Sequence, residues 1–173
     1  MRRAFVLAAA VLVAASGLVL APAPPASAAA PFCGITWGSL PRSIEHSRLP
    51  GTGITNVRAG QHPCFDRLVI DGPGNRLFVK YVSQVREDPS DRPVHLAGGA
   101  FLQITVQSPE LRAFRLPSVA GFRTFRQVAH AGSFEGVTTY GLGVRARLPF
   151  RVFALAGPGS GSRLVIDVAH RWQ

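Results

Sequence analysis

From residue 65 onward the chain alternates apolar and polar side chains in short runs, each ended by Gly or Pro. In 101–107, Leu102, Ile104 and Val106 point one way and Gln103, Thr105 and Gln107 the other, the two-residue period of a half-buried strand. In 138–148, Val144, Ala146 and Leu148 oppose Arg145 and Arg147. In the last run, Leu164, Ile166 and Val168 oppose Arg163, Asp167 and Arg171. Runs 65–71, 76–82, 122–130 and 150–155 also have strand composition. Asp71-Gly72-Pro73-Gly74-Asn75 is a strong turn signal, so 65–71 and 76–82 are expected to pair as a hairpin. Residues 132–136 and 157–161 predict further turns. Residues 85–93, with Pro89 and Pro93, read as a loop, and 110–119 as a connector with room for a helical turn. No stretch carries a helical apolar period. Short strands at this spacing predict an all-β domain, a sandwich or a small barrel.

The pentapeptide Arg-Leu-Val-Ile-Asp occurs twice, at 67–71 and 163–167. Its flanks differ, Cys64-Phe65-Asp66 against Gly161-Ser162, so a long duplication is not indicated. The reading is two equivalent strands of a pseudo-symmetric sandwich, with Leu and Ile inward. Their Arg and Asp are then expected in ion pairs or turn hydrogen bonds.

Met1-Arg2-Arg3, the uncharged apolar run 4–20, the prolines at 22, 24 and 25, and Ala26-Ser27-Ala28 have the layout of a secretory signal peptide over 1–28. A retained anchor is the competing reading, since the run is nearly long enough to span a bilayer. Pro31 and Phe32 are poor residues ahead of a lipidated Cys33. The mature chain is expected outside the cell, secreted or wall-associated, with no second apolar span. Residues 29–63, punctuated by Gly and Pro, read as an irregular arm with at most one short strand, and 64–173 as the folded domain. The two cysteines of an exported chain, Cys33 and Cys64, are expected to form one disulfide that ties this arm down. Closing that loop is worth roughly 3 kcal/mol on the chain-entropy account. Two Cys without paired His make a poor zinc set, and they lack Cys-x-x-Cys redox spacing. No metal and no cofactor is expected.

A formal charge of +10, of which Arg2 and Arg3 supply two, rests almost wholly on arginine, since Lys80 is the only lysine. Such a balance attracts polyanions: wall polymers, anionic head groups or nucleic acid. A GC-rich coding sequence produces the same Ala, Gly, Pro and Arg excess. Nucleic acid ranks low, because the arginines are spread along the chain and an exported protein seldom meets it.

His46, His62, His95, His130 and His170 show no metal-binding spacing, and no Gly-x-Ser-x-Gly elbow is present. The Gly-rich stretch 157–162 lacks the Gly-Lys-Ser/Thr ending of a phosphate loop. No two carboxylates nominate themselves as an acid and base pair. His130 and His170 end predicted strands, which leaves a strand-end hydrolase site as an alternative. The segment 122–153 stands out, with arginines set among Phe122, Phe125, Phe134, Tyr140, Phe150 and Phe153. Guanidinium groups beside aromatics suit anion recognition and stacking on sugar rings. The candidate ligand residues are Arg123, Arg126, Tyr140, Arg145 and Arg147, with Arg145 and Arg147 as a two-pronged anion site. A solvated basic face is the plain alternative.

Cys64-Phe65-Asp66-Arg67-Leu68-Val69-Ile70-Asp71, Phe122-Arg123-Thr124-Phe125-Arg126-Gln127-Val128, Gly132-Ser133-Phe134-Glu135-Gly136 and Ser162-Arg163-Leu164-Val165-Ile166-Asp167-Val168 resemble the AMIN-like domain of exported proteins from high-GC Gram-positive bacteria. The resemblance covers about 33–172. It implies a single-domain β-sandwich that is not catalytic and binds an envelope component, with peptidoglycan or an associated wall polymer the implied target. It carries over no ligand residues. An exported protein partner, met through the arm before Cys64, is the remaining alternative. If the disulfide is formed, alkylation without reductant labels no cysteine by mass, and alkylation after reduction labels both.

Overall fold

The computed structural model describes residues 31–45, 51–72, 76–158 and 161–172, and the expected signal segment 1–28 lies outside them. The strands are β1 (Arg42–Ile44), β2 (Asn56–Gln61), β3 (Phe65–Asp71), β4 (Leu77–Val82), β5 (Val85–Arg86), β6 (Pro93–Val94), β7 (Ala100–Val106), β8 (Phe125–Phe134), β9 (Val137–Val144), β10 (Phe150–Ala156) and β11 (Ser162–Ala169). One sheet has the order β1-β4-β7-β9-β8 and the other β10-β11-β3-β2; β5 and β6 form a small ribbon. Every strand pair is antiparallel. Leu68, Ile70, Leu164, Ile166 and Val168 from one sheet meet Leu77, Val79, Leu102, Ile104, Tyr140 and Leu142 from the other in one buried core. This is the all-β sandwich that the alternation predicts.

The two pentapeptide copies pair with each other. In register, Arg163 faces Asp71, Leu164 Ile70, Val165 Val69, Ile166 Leu68 and Asp167 Arg67. The motif is self-complementary when antiparallel: its charges meet opposite charges and its middle valines meet. Leu68, Ile70, Leu164 and Ile166 are fully buried on the core side.

Four expectations change. The predicted hairpin of 65–71 with 76–82 does not form, because β3 and β4 lie in different sheets. Both edges of β3 are taken by β11 and β2, so the chain crosses to the facing layer instead. The arm holds two strands rather than one: β1 pairs with β4, and β2 closes one edge of the four-stranded sheet, with Val57 buried and Arg58 exposed. The strand predicted at 138–148 ends at Val144, so Arg145 and Arg147 lie in the connection to β10. The turn expected over 132–136 is tighter than that. Glu135 and Gly136, both at positive φ, form a two-residue hairpin loop between β8 and β9. Gly132 sits in a bulge where a Cβ would lie 2.1 Å from the Asp88 carbonyl oxygen.

Cys33 and Cys64 form the expected disulfide. Beside it, Trp37 packs edge-on to Phe65 at 6.0 Å, and its Nε1 donates to the Phe32 carbonyl. Asp66, fully buried, ties the sheets together: Oδ2 accepts the backbone N–H groups of Thr124 and Phe125 at 2.6 and 2.9 Å.

Two predictions follow from the packing. Asp167 is fully buried and accepts from Arg67 at 2.7 and 2.9 Å and from Arg151 at 2.8 Å. Asp167→Asn leaves two guanidinium groups without their counter-charge and is expected to lower the urea-unfolding stability by about 3 kcal/mol. Both tyrosines of the chain have their phenols pushed up. For Tyr81 burial does this, to about 12, against the opposing Leu148 hydrogen bond and Arg147 charge. For Tyr140 it is burial and then the bond to Glu110. The folded state therefore favours neutral phenols. That contribution to stability is complete below the unfolded tyrosine value of about 10 and is lost as pH rises through the folded values. Ultraviolet titration is expected to show no tyrosinate in the native protein at about pH 10, with both phenols ionising together as the fold opens at higher pH.

Candidate functional site

The segment 145–149 joins the two sheets and is held at several points. Tyr81 on β4 grips Leu148, donating to its carbonyl at 2.7 Å and accepting its N–H at 3.0 Å. The Arg145 N–H donates to the Thr124 carbonyl at 2.9 Å. The Arg147 carbonyl accepts from Trp172 Nε1 at 3.0 Å. A connection anchored this firmly presents its arginines from a fixed frame.

Both arginines point outward. Arg145 Nη2 donates to the His170 carbonyl, and Arg147 Nη2 to the Ser39 carbonyl at 3.3 Å. The Arg147 guanidinium lies over the Tyr81 ring, 4.7 Å from its centroid. A neighbouring cation, Arg171, lies over Phe32 at 4.6 Å. Arg123 is exposed. Arg126 folds back on its own strand, its Nη1 donating to the carbonyls of Phe125 and Phe122 at 2.8 and 3.0 Å. Carbonyl anchors orient a guanidinium without neutralising it. Among the described residues none of Arg123, Arg126, Arg145, Arg147 and Arg171 has a carboxylate partner.

Tyr140 does not belong with them. It is fully buried, and its hydroxyl donates to Glu110 Oε1 at 2.5 Å. On β9 its side chain takes the core side of the sheet, so it serves packing rather than a ligand. Tyrosine composition carries no mark of this; only the sheet register does.

The histidines are separated. His170 directly follows β11, with Nε2 3.0 Å from Asp66 Oδ1 and Nδ1 3.2 Å from the Pro63 carbonyl. His130 lies 3.6 Å from Glu110 and packs edge-on to Tyr140. Asp66 and Glu110 already accept from backbone and phenol donors respectively. Among the described residues no group of three or more His, Cys, Asp and Glu could hold a metal ion.

The ion pairing expected of the repeated Arg and Asp is found on the outer face of the four-stranded sheet, where Arg151 joins it. Arg151, Asp167 and Arg67 form one row across β10, β11 and β3. Phe153 is contacted by both arginines, Arg67 at 5.4 Å and Arg151 at 5.1 Å. At the far end of this face, Arg58 and Arg112 line a pocket of about 710 Å³ together with Thr52, Thr55, Asn56 and Asp71. Only the folded chain brings these together, since they come from widely spaced segments.

No curated protein and no solved structure matches the chain. A family model of the AMIN-like domain matches residues 52–170, which takes in all of β2 through β11. AMIN-like domains occur in exported proteins and are in general binding modules associated with the cell wall rather than catalysts. Among the described residues no helix is long and apolar enough to cross a membrane. With its sandwich of antiparallel strands and a match over most of its length, the chain belongs to the AMIN-like domain family.

Proposed function

We propose that this protein is exported and acts as a non-catalytic module that binds an anionic component of the cell envelope, peptidoglycan or a polymer attached to it. The observation that carries this reading is the set of exposed arginines at one end of the sandwich. Arg145 and Arg147 are held by backbone carbonyls and lack carboxylate partners among the described residues, and Arg123 stands near them through the Thr124–Arg145 backbone bond. A guanidinium oriented but not neutralised keeps its free N–H groups for carboxylate or phosphate oxygens. Arg126, turned onto its own strand, adds charge more than contacts. Family membership supports the choice of an envelope ligand, and net basic charge supports an anionic one. An extended surface of this kind fits a polymer better than a small metabolite.

Co-sedimentation with purified sacculi tests it. The protein is expected in the pellet at low ionic strength and to leave it as salt is raised, because exposed charges are screened within about 10 Å at 0.1 M. Absence from the pellet even at low salt overturns the proposal. Replacing Arg145 and Arg147 by Ala is expected to weaken binding by at least roughly tenfold, the loss of one charge-assisted contact or more. Unchanged binding removes this end of the molecule as the site.

A further inference from the structure

The two Arg–Asp rungs between β3 and β11 are equivalent in register but not in bonding. At one, Arg67 faces Asp167 and binds it through two contacts at 2.7 and 2.9 Å. At the other, Arg163 faces Asp71, yet Asp71 has turned to Arg58 on β2, which holds both its oxygens at 2.9 and 3.1 Å. Among the described residues Arg163 is left with one contact, Nη2 to the Ala156 carbonyl at 2.8 Å, and its buried Nε meets no acceptor. A buried donor with no partner is uncommon in a folded protein and calls for a reason.

The reason lies in what surrounds Asp71. The pocket of about 710 Å³ is lined by Asp71, Arg58 and Arg112, with Thr52, Thr55 and Asn56 adding hydroxyl and amide groups. Its volume is that of a small-molecule site. Arg112 donates Nε to the Thr55 carbonyl at 3.1 Å and has no carboxylate partner among the described residues. Among the described residues, Arg58, Arg112 and Arg163 thus have a single carboxylate, Asp71, between them. Among the described residues no aromatic side chain lines the pocket, so hydrogen bonding rather than ring stacking would select its occupant.

We infer that this pocket binds an oxyanion, carboxylate or phosphate, carried on a small hydroxyl-bearing molecule, and that Asp71 is its internal stand-in. The incoming anion takes Arg58 and Arg112. Asp71 then turns to Arg163, meets the waiting Nε–H and closes the second rung in the manner of the first. This site is separate from the one proposed above. Arg145 and His170 lie beside Cys64, at the opposite end of β3, about 20 Å away along the strand at ~3.4 Å per residue.

Titrations of the purified protein followed by the arginine Nε–H resonances would decide the matter, with inorganic phosphate, glucuronate and, as a neutral control, glucose. Saturable shifts at Arg58, Arg112 and Arg163 are expected with an anion and not with glucose. Phosphate alone, or glucuronate alone, identifies which oxyanion the site takes. Arg112→Ala is expected to weaken that binding roughly tenfold. Asp71→Asn, which removes the competitor, is expected to tighten it, an outcome that a purely structural Asp71 would not give. The pair Arg145→Ala and Arg147→Ala should leave it unchanged, which separates this site from the polymer-binding end. No saturable shift with either anion, equal shifts with glucose, or binding indifferent to Arg112→Ala overturns the inference. If Asp71→Asn does not fold, the Arg112→Ala titration still decides.

Discussion

The antiparallel pairing of the two Arg-Leu-Val-Ile-Asp strands is the constraint on which the rest of this sandwich hangs. Read backward, the motif is Asp-Ile-Val-Leu-Arg, so antiparallel pairing about Val69 and Val165 sets each charge against its opposite. It also puts all four Leu and Ile side chains on one face. A one-residue slip would send that face to solvent and set apolar side chains against the charges. The two strands are the inner pair of their sheet, and each fixes an outer neighbour: β3 aligns β2, and β11 aligns β10. Cross-strand charge and packing therefore specify the register together, at a place where an error would propagate through the whole layer.

The second layer is fastened to this one by polar groups as well as by the core. Asp66, next to the first motif, accepts from the start of β8, and His170, just past β11, contacts the same carboxylate. Arg145 then reaches the His170 carbonyl. A chain of hydrogen bonds, buried at Asp66 and exposed at Arg145, runs from the central strands to the exposed arginines. The disulfide closes the same corner, because Cys64 immediately precedes β3 and its carbonyl accepts the His170 N–H. The basic end of the molecule is rigid for the same reasons that the fold is stable there.

How much of this could be read along the chain depends on whether the signal is local. The alternation at Leu102, Ile104 and Val106 is local, and β7 follows it. Cys33 and Cys64 needed only the expectation of export. The hairpin from Asp71-Gly72-Pro73-Gly74-Asn75 failed because a turn signal says that the chain bends, not which layer it enters. The decisive fact, that β2 and β11 already occupy both edges of β3, is non-local. β2 itself was hidden because Asn56-Val57-Arg58-Ala59-Gly60-Gln61 has a single large apolar residue, which suffices for an edge strand with one buried contact. Arg145 and Arg147 keep the outward orientation that the alternation indicates even though they lie beyond the strand. Tyr140 was misjudged because an aromatic among arginines looks alike whether its ring is outside or, as here, inside.

The same symmetry that specifies the fold also marks where it departs from its own rule. Two rungs built from identical residues in identical register should bond alike. One does, between Arg67 and Asp167, and there Asp167 is sealed from solvent with Arg151 as a second partner. The other is open, and there the neighbour is the exposed Arg58 at the rim of a pocket. The difference arises from what β2 and β10 contribute at each end, not from the repeated motif. Strand β10 supplies an arginine that reinforces the existing pair, whereas β2 supplies one that draws Asp71 away from its partner. Stability alone would favour two closed rungs. A local departure from an otherwise consistent pattern is the place to look for function, and here it coincides with a pocket and with a buried donor that lacks an acceptor among the described residues.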